Sequence, residues 1–438
     1  MTTSDNAAQA EDSLRAEDGD TGEPLVAASP VRSKDRIETL DFIRGIAVMG
    51  ILAANIVAFG QPFSAYMYPT AWIGESGDPY GWLWVAQFVL IDGKMRALFT
   101  ILFGAGLYLF MERAWARGQT LWLQAWRLVI LLAFGLLHFF LLWRGDILAL
   151  YGMCGLLVVP MLRLSVKRQL GIGATAYVFG AVLFLTMMAS LSFVADAETH
   201  DDPGLVEFQE GLVTSKNETL ADDAEVTKLK REGSYTDLVA HRLKENTFDP
   251  FFGVWFLVLE CVPLMLIGAA LYRSGFFSGS VEPGELKKWG WIGVIAGGIG
   301  SLAIGLWVQL TGFTYYGTLA AFVGWAPIPR IVTALGLAAL LVAYSPAWTG
   351  WIATRVRAAG RTAFTNYLGT SVVMLFVMHG WALGLFGELS RPQLYLVTIL
   401  TCGLMLAWSK PWLDRFRYGP LEWLWRCLTY REVFPNKR

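Results

Sequence analysis

The chain has 438 residues, 55% of them hydrophobic and only 16% charged, with a formal net charge of −1. Its mean hydropathy is +0.46, whereas a soluble protein of this length carries more charge and shorter apolar runs. An ordinary soluble domain is therefore excluded, and the near-zero net charge names no partner because the charges are sorted by region. Apolar runs of about 20 residues, the length of a membrane-crossing helix, recur from Ile46 to Trp408. A β-barrel would alternate in segments of about 10 residues, and these runs do not alternate. The expected fold class is all-α: a polytopic integral membrane protein with about ten transmembrane helices.

Residues 1–35 are polar and acidic and lack the apolar core of a cleavable signal peptide, so they read as a disordered cytoplasmic tail. Spans are expected at about 42–60, 95–111, 122–143, 146–163, 170–194, 251–272, 289–310, 328–348, 362–386 and 392–409. Two further stretches, 81–90 and 317–327, are too short to cross alone. Basic residues fall on alternate connections. Arg32, Lys34 and Arg36 precede the first span, Arg113 and Arg117 follow the second, and Arg163, Lys167 and Arg168 follow the fourth. Arg273, Lys287 and Lys288 follow the sixth, Arg355, Arg357 and Arg361 the eighth, and the tail from Lys410 is basic as well. The positive-inside rule then places both termini on the cytoplasmic side of the membrane. Glu75, Asp78 and the acidic loop 196–249 fall outside, and YTDLVAHRLKEN within that loop reads as an amphipathic surface helix. The organisation is thus a tail at 1–35, an N-terminal membrane part at 36–195, the extracytoplasmic loop at 196–249, and a C-terminal membrane part with its basic tail at 250–438.

Ionisable groups at bilayer depth cost about 2.5–3.5 kcal/mol each on insertion scales, so each needs a reason. Asp41 and Arg44 stand three apart on one helical face, either as an interfacial anchor pair or as charges facing a cavity that meets a phosphate. His138 lies about 16 Å of helix rise beyond Arg127, in the outer half of its span, with Arg144 and Asp146 just after it. It is either a satisfied core histidine or a general base whose ring Asp146 orients. Lys94 and Arg96 mark the membrane boundary or line a pocket around His138, where cations would stabilise developing negative charge. Glu260 sits mid-span beside Pro263 and requires a partner or a proton. His379, Asn366 and Tyr367 read more simply as helix-packing residues, His200 and His241 as solvated loop residues, and the FGAG stretch at 103–106 as close helix packing. The four cysteines, Cys154, Cys261, Cys402 and Cys427, are too far apart for metal-ligand or redox spacing. No metal site is expected, and no nucleic-acid partner. No internal repeat of the secondary-transporter kind stands out.

RIETLDFIRGIAVMGILAANI resembles the opening of the YeiB-like bacterial inner-membrane proteins. DGKMRALFTILFGAGL and LLHFFLLWRGDILALYGMCGLL are similar to that family's second and third signatures. GRTAFTNYLGTS with YGPLEWLWRCLTY resembles its C-terminal domain of unknown function. Together they cover nearly everything after residue 35 except the acidic loop. The family is grouped by fold with the transmembrane acyltransferases, including the lysosomal heparan-glucosaminide N-acetyltransferase. The resemblance implies acyl-CoA, such as acetyl-CoA, as a cytosolic co-substrate, and a sugar or other envelope component as the hydroxyl or amine acceptor. It implies an essential histidine between them, for which His138 is the match, and carries Asp41 and Arg44 over as cavity-lining residues. Substrate-side contacts are then expected from Asp41, Arg44, Lys94, Arg96, Arg144 and Glu260, catalysis from His138 with Asp146, and membrane lipids as surroundings. An exporter of a small polar or lipid-linked solute would use the same charged cavity without chemistry, and a membrane scaffold would need its buried charges only as pairs.

Overall fold

The computed structural model describes residues 38–74, 81–198 and 201–438. The tail at 1–35, Arg32, Lys34, Arg36, Glu75, Asp78 and His200 lie outside the described residues. Helix α1 (Glu38–Gly60) is followed by two 3-10 turns, α2 (Gly81–Leu90) and α3 (Lys94–Trp115). Helices α4 (Leu121–Leu141) and α5 (Leu148–Val158) flank the loop that carries Asp146, and α5 ends in a 3-10 turn at Val159–Arg163. Helix α6 (Val166–Ala195) leads into an inserted pair, α7 (Pro203–Glu232) and α8 (Tyr235–Glu245). Then come α9 (Asp249–Arg273), α10 (Pro283–Leu310), the short α11 (Tyr315–Leu319) and α12 (Pro327–Tyr344). The C-terminal part is α13 (Trp351–Arg361), α14 (Ala363–Met378), α15 (Arg391–Arg415) and α16 (Pro420–Tyr430). Among the described residues the β-structure is a single isolated bridge, Phe416 to Lys437.

Among the described residues seven helices are long and apolar enough to cross a membrane: α1, α4, α6, α9, α10, α12 with its extension to Ala347, and α15. Leu148–Arg163 and Ala363–Met378 are shorter apolar helices. The chain is a multi-pass membrane protein. Helix α3 has 22 residues, with Lys94 and Arg96 in its first turn and Glu112 and Arg113 near its last. One expected span is shorter than its apolar run: the stretch 362–386 is helical only to Met378. His379 turns extended at φ −80°, ψ 146°, and Gly384 and Gly387 follow at φ 68° and 76°, a conformation that glycine adopts without strain. Of the two short stretches, 81–90 forms the ten-residue α2. The other is α11 running into a π-helix at Ala320–Trp325.

The packing separates centre from periphery. In α1, 67% of the apolar stretch is buried, against 22% in α10. The face of α10 bearing Trp291, Ile295 and Ile299 is exposed and suits lipid. Close approaches are made where side chains are missing. A Cβ on Gly104 would lie 2.0 Å from the Met265 carbonyl oxygen, and one on Gly268 1.9 Å from that of Ile101, so α3 and α9 touch backbone to backbone. A Cβ on Gly135 would lie 2.1 Å from the Ala149 nitrogen. That contact draws the start of α5 against α4 one turn before His138.

The bundle has two distinct ends. The terminal face carries the start of α1 and the C-terminal segment, where the Trp425 indole donates to the Arg127 carbonyl at 3.0 Å and the Arg438 N–H to that of Arg415 at 3.0 Å. The insert face carries α7 and α8. Helix α8 coincides with the expected amphipathic stretch, and Ser234 and Asp237 form its capping box. The insert is seated by long-range bonds. The Ser64 N–H donates to Asp223 Oδ2 at 2.8 Å, and the Gly380 N–H to the Lys230 carbonyl at 2.9 Å. The Tyr235 hydroxyl donates to the Leu141 carbonyl at 3.0 Å, and the Tyr316 hydroxyl to the Leu212 carbonyl at 2.7 Å.

Candidate functional site

His138 is fixed by three elements. It stands in the last turn of α4, its ring stacked obliquely 5.2 Å from that of Tyr367 on α14. Its Nδ1 lies 2.7 Å from Asp146 Oδ1, and its Nε2 lies 2.8 Å from Ser371 Oγ on α14. Asp146 is held in turn, because its Oδ2 accepts the Ala149 N–H at 2.7 Å. The neighbouring Ile147 N–H donates to the Tyr367 hydroxyl at 3.2 Å. With the carboxylate as acceptor, Nδ1 carries the imidazole proton and Nε2 accepts from Ser371. The side chains of His138 and Asp146 are 0% and 1% exposed, and Ser371 is buried with them.

Two cavities approach this cluster, one at Asp146 and the other at Tyr367, while His138 and Ser371 themselves line neither. The larger, about 620 Å³, opens toward the insert and is lined by Asn55, Tyr66, Arg96, Asp146, Glu260 and Arg330 among others. The smaller, about 300 Å³, opens toward the terminal face and is lined by Asp41, Arg44, Arg127, Tyr151, Tyr367 and Glu422 among others. One stretch of chain lines both. Asp146, Ile147, Ala149 and Leu150 face the larger cavity, while Leu148 and Tyr151 face the smaller. The partition is thus the first turn of α5 and the loop before it.

The expected residues fall into distinct places. Asp41 and Arg44 pair at 2.9 Å on the terminal-face cavity. Beside them Arg127 is sandwiched between the Phe110 and Trp425 rings, its guanidinium carbon 4.4 and 4.2 Å from their centroids. Glu422 accepts the Phe364 and Thr365 N–H groups at 2.8 and 3.0 Å, closing the N-terminus of α14. On the other side Arg96 reaches both oxygens of Glu260, at 3.0 and 2.9 Å, and Arg330 reaches Glu260 Oε2 at 2.9 Å. Arg144 lies at the mouth of that cavity, over the Phe63 ring at 4.9 Å and 3.4 Å from Asp222 of the insert.

Lys94 lies apart from His138. It is 1% exposed, its Nζ donates to the Phe88 carbonyl, and it is absent from the linings of both cavities. Of the three residues read as helix packing, Asn366 Oδ1 accepts from the Trp408 indole at 2.9 Å and His379 Nδ1 lies 3.0 Å from the Leu375 carbonyl, whereas Tyr367 meets the His138 ring and lines the smaller cavity. Ser371, Arg330, Arg127 and Glu422 belong to the site without having been singled out from the sequence. The three charged ones stand in or beside apolar runs, where the demand for a reason applies to them as it did to Glu260. Ser371 carries no such signal.

Comparison with known proteins agrees with the motifs. Residues 271–432 match the family described as "Protein of unknown function (DUF418)". The "Uncharacterized protein YeiB" of Escherichia coli (strain K12) is 32% identical over 413 residues, covering 92% of this chain and 98% of that protein. The "Uncharacterized protein YxaH" of Bacillus subtilis (strain 168) is 27% identical over 423 residues, covering 93% of this chain and 97% of its own. A third relative, from Bacillus acidopullulyticus, is described as an "Uncharacterized 39.9 kDa protein in amylase 3'region" and is 23% identical over 415 residues, covering 93% and 97%. No solved structure matches.

Proposed function

The chain belongs to the YeiB family, and from that premise we propose that it is a transmembrane acyltransferase, moving an acyl group from cytosolic acyl-CoA to a hydroxyl or amine on the other side. In this reading α3, the two shorter apolar helices and the seven long ones make ten crossings, with both termini in the bacterial cytoplasm. The terminal-face cavity, with Arg44 and Arg127, is the entry for the CoA phosphates and pantetheine. The insert-face cavity receives the acceptor.

The observation that carries the proposal is the partition, a buried His138–Asp146 pair where two cavities of opposite access come within one helical turn of each other. His138 Nε2 takes the acceptor proton, directly or through the Ser371 hydroxyl, as the acceptor oxygen or nitrogen attacks the thioester carbonyl carbon. The C–S bond breaks, and the imidazolium returns the proton to the leaving thiolate, releasing CoA. Asp146 holds the ring and stabilises its charged form meanwhile.

The test is the thermal stability of the purified chain with acetyl-CoA, longer acyl-CoAs and free CoA. A ligand at about 100 times its Kd adds roughly 2.7 kcal/mol of apparent stability. Stabilisation by a CoA species is expected, and no shift with any of them at millimolar levels overturns the proposal. The thinness of the partition favours a second reading in that event, solute export by alternating access, which predicts flux indifferent to acyl-CoA.

A further inference from the structure

We propose that the floor of the insert-face cavity is an anion subsite, formed by Arg96 and Arg330 around Glu260, and that it takes a carboxylate or phosphate carried by the acceptor. The inference rests on reading this cavity as the acceptor's side and supplies the acceptor's chemical class.

The argument is one of charge and donor counting. Two guanidinium groups share one carboxylate, which leaves one positive charge in excess. Arg330 has only 5% of its side chain exposed. It spends Nη1 on Glu260 and Nη2 on the Phe322 carbonyl, at 2.9 and 2.7 Å. Arg96 places only Nη2 on the carboxylate, and 29% of its side chain stays accessible where it lines the cavity. Among the described residues no acceptor stands on Nε of either arginine. An excess buried cation is costly unless a counter-charge completes it, and a guanidinium fork matches the oxygens of carboxylate and phosphate.

The site is also built for the second arginine. Gly93 sits at φ 70° in the turn between α2 and α3, and a Cβ there would lie 2.1 Å from Arg330 Nε. The turn therefore leaves the passage through which Arg330 reaches Glu260. Of the other carboxylates on or beside this cavity, Asp92 is engaged by the Gln87 amide at 3.0 Å and the Tyr66 hydroxyl at 3.4 Å, Asp146 by His138 and the Ala149 N–H, and Asp249 by the Asn246 amide at 3.0 Å. Arg144, paired with Asp222, stands at the mouth on the way in. Asn55 and Tyr66, on the same lining, offer hydrogen bonds to the rest of a polar acceptor.

The experiment titrates the full chain, in lipid nanodiscs and without any thioester, with glucuronate, glucose 1-phosphate and glucose. At least one anionic sugar is expected to bind tenfold or more tightly than glucose, and which one does distinguishes carboxylate from phosphate. Arg96→Gln is expected to erase that preference, and Glu260→Gln to enlarge it by unmasking the guanidinium charge. Equal binding of all three sugars to the unmodified chain, or binding of none, overturns the subsite whatever the variants do. So does a Glu260→Gln protein of unchanged chromatographic profile that loses the preference, because Glu260 would then hold the site together and not mask it. Anion preference without acyl transfer would sink the acyltransferase proposal alone. Transfer to glucose as readily as to the anionic sugars would sink the subsite alone.

Discussion

The two cavities share a wall and differ in how their charges are balanced. On the insert side two arginines converge on one carboxylate deep in the bundle, anchored to elements far apart in sequence. On the terminal side Asp41 and Arg44 pair within a single helix, and Arg127 is held by aromatic faces. The first arrangement is rigid and selective, because moving either partner strands a buried charge. The second sets an intrahelical pair beside an arginine held by aromatic faces, and in the proposed reading it meets a long flexible ligand at its charged end. In the proposed reading the two kinds of pocket serve two substrates from opposite faces, across a partition that neither crosses whole.

The largest test of this contrast removes what the two cavities share. His138→Ala should lower acyl transfer by about 10²–10⁴-fold, while CoA-dependent stabilisation and sugar binding persist. Retained transfer in a well-folded variant would deny the partition its chemical role. Arg44→Ala should act on one side only, removing most of the roughly 2.7 kcal/mol that a saturating CoA ligand adds and leaving sugar binding unchanged. Gly135→Ala should disturb both sides together. Its Cβ falls 2.1 Å from the Ala149 nitrogen, an overpacking that costs about 1–3 kcal/mol, readable as a lower Tm with ligand effects reduced at both cavities.

The smallest effect concerns the insert alone. Burial first, and then the charges of Arg242 and Arg144, push Lys230 down from 10.5 to about 7, against the opposing pull of Asp223. His379 beyond α14 faces the same charge. Between pH 7 and 10.5 the docked lysine is neutral and the undocked one charged, so docking should strengthen as pH rises through that window and stay flat below it. Hydrogen exchange across 203–245 should slow accordingly once corrected for the intrinsic pH dependence. Lys230→Met should flatten the response, and a flat response in the unmodified chain would contradict it.

Much of this was legible in the sequence for one reason: lipid leaves apolar runs no alternative to helix. The positions of the seven long apolar helices follow from that, and Asp146 stands near His138 in the chain, only eight residues on. What was not legible is long-range. Ser371 meets the histidine from 233 residues away, and Arg330 meets Glu260 across 70. Lys94 looked equivalent to Arg96 two residues away, yet its side chain is buried under α2 while Arg96 lines the cavity. Helix phase decides such a case, and a span boundary is too coarse to supply it. The end of α14 at Met378 was hidden because an apolar run continues through a turn made by backbone, not by polarity.

The seating of the insert has a consequence for how this protein can change. Of the bonds that hold α7 and α8 down, those at Lys230 and Leu212 use only their backbone carbonyls, and those from Tyr235 and Arg242 land on the carbonyls of Leu141 and Phe140. A carbonyl is the same whatever side chain it carries. The cover can therefore drift in sequence at a position such as Leu212 while keeping that bond, whereas Asp223, Tyr235 and Arg242 hold the seat with their own side chains. Across relatives, helix length, phase and those three side chains should be held constant there, and residue identity should wander where only a carbonyl is used.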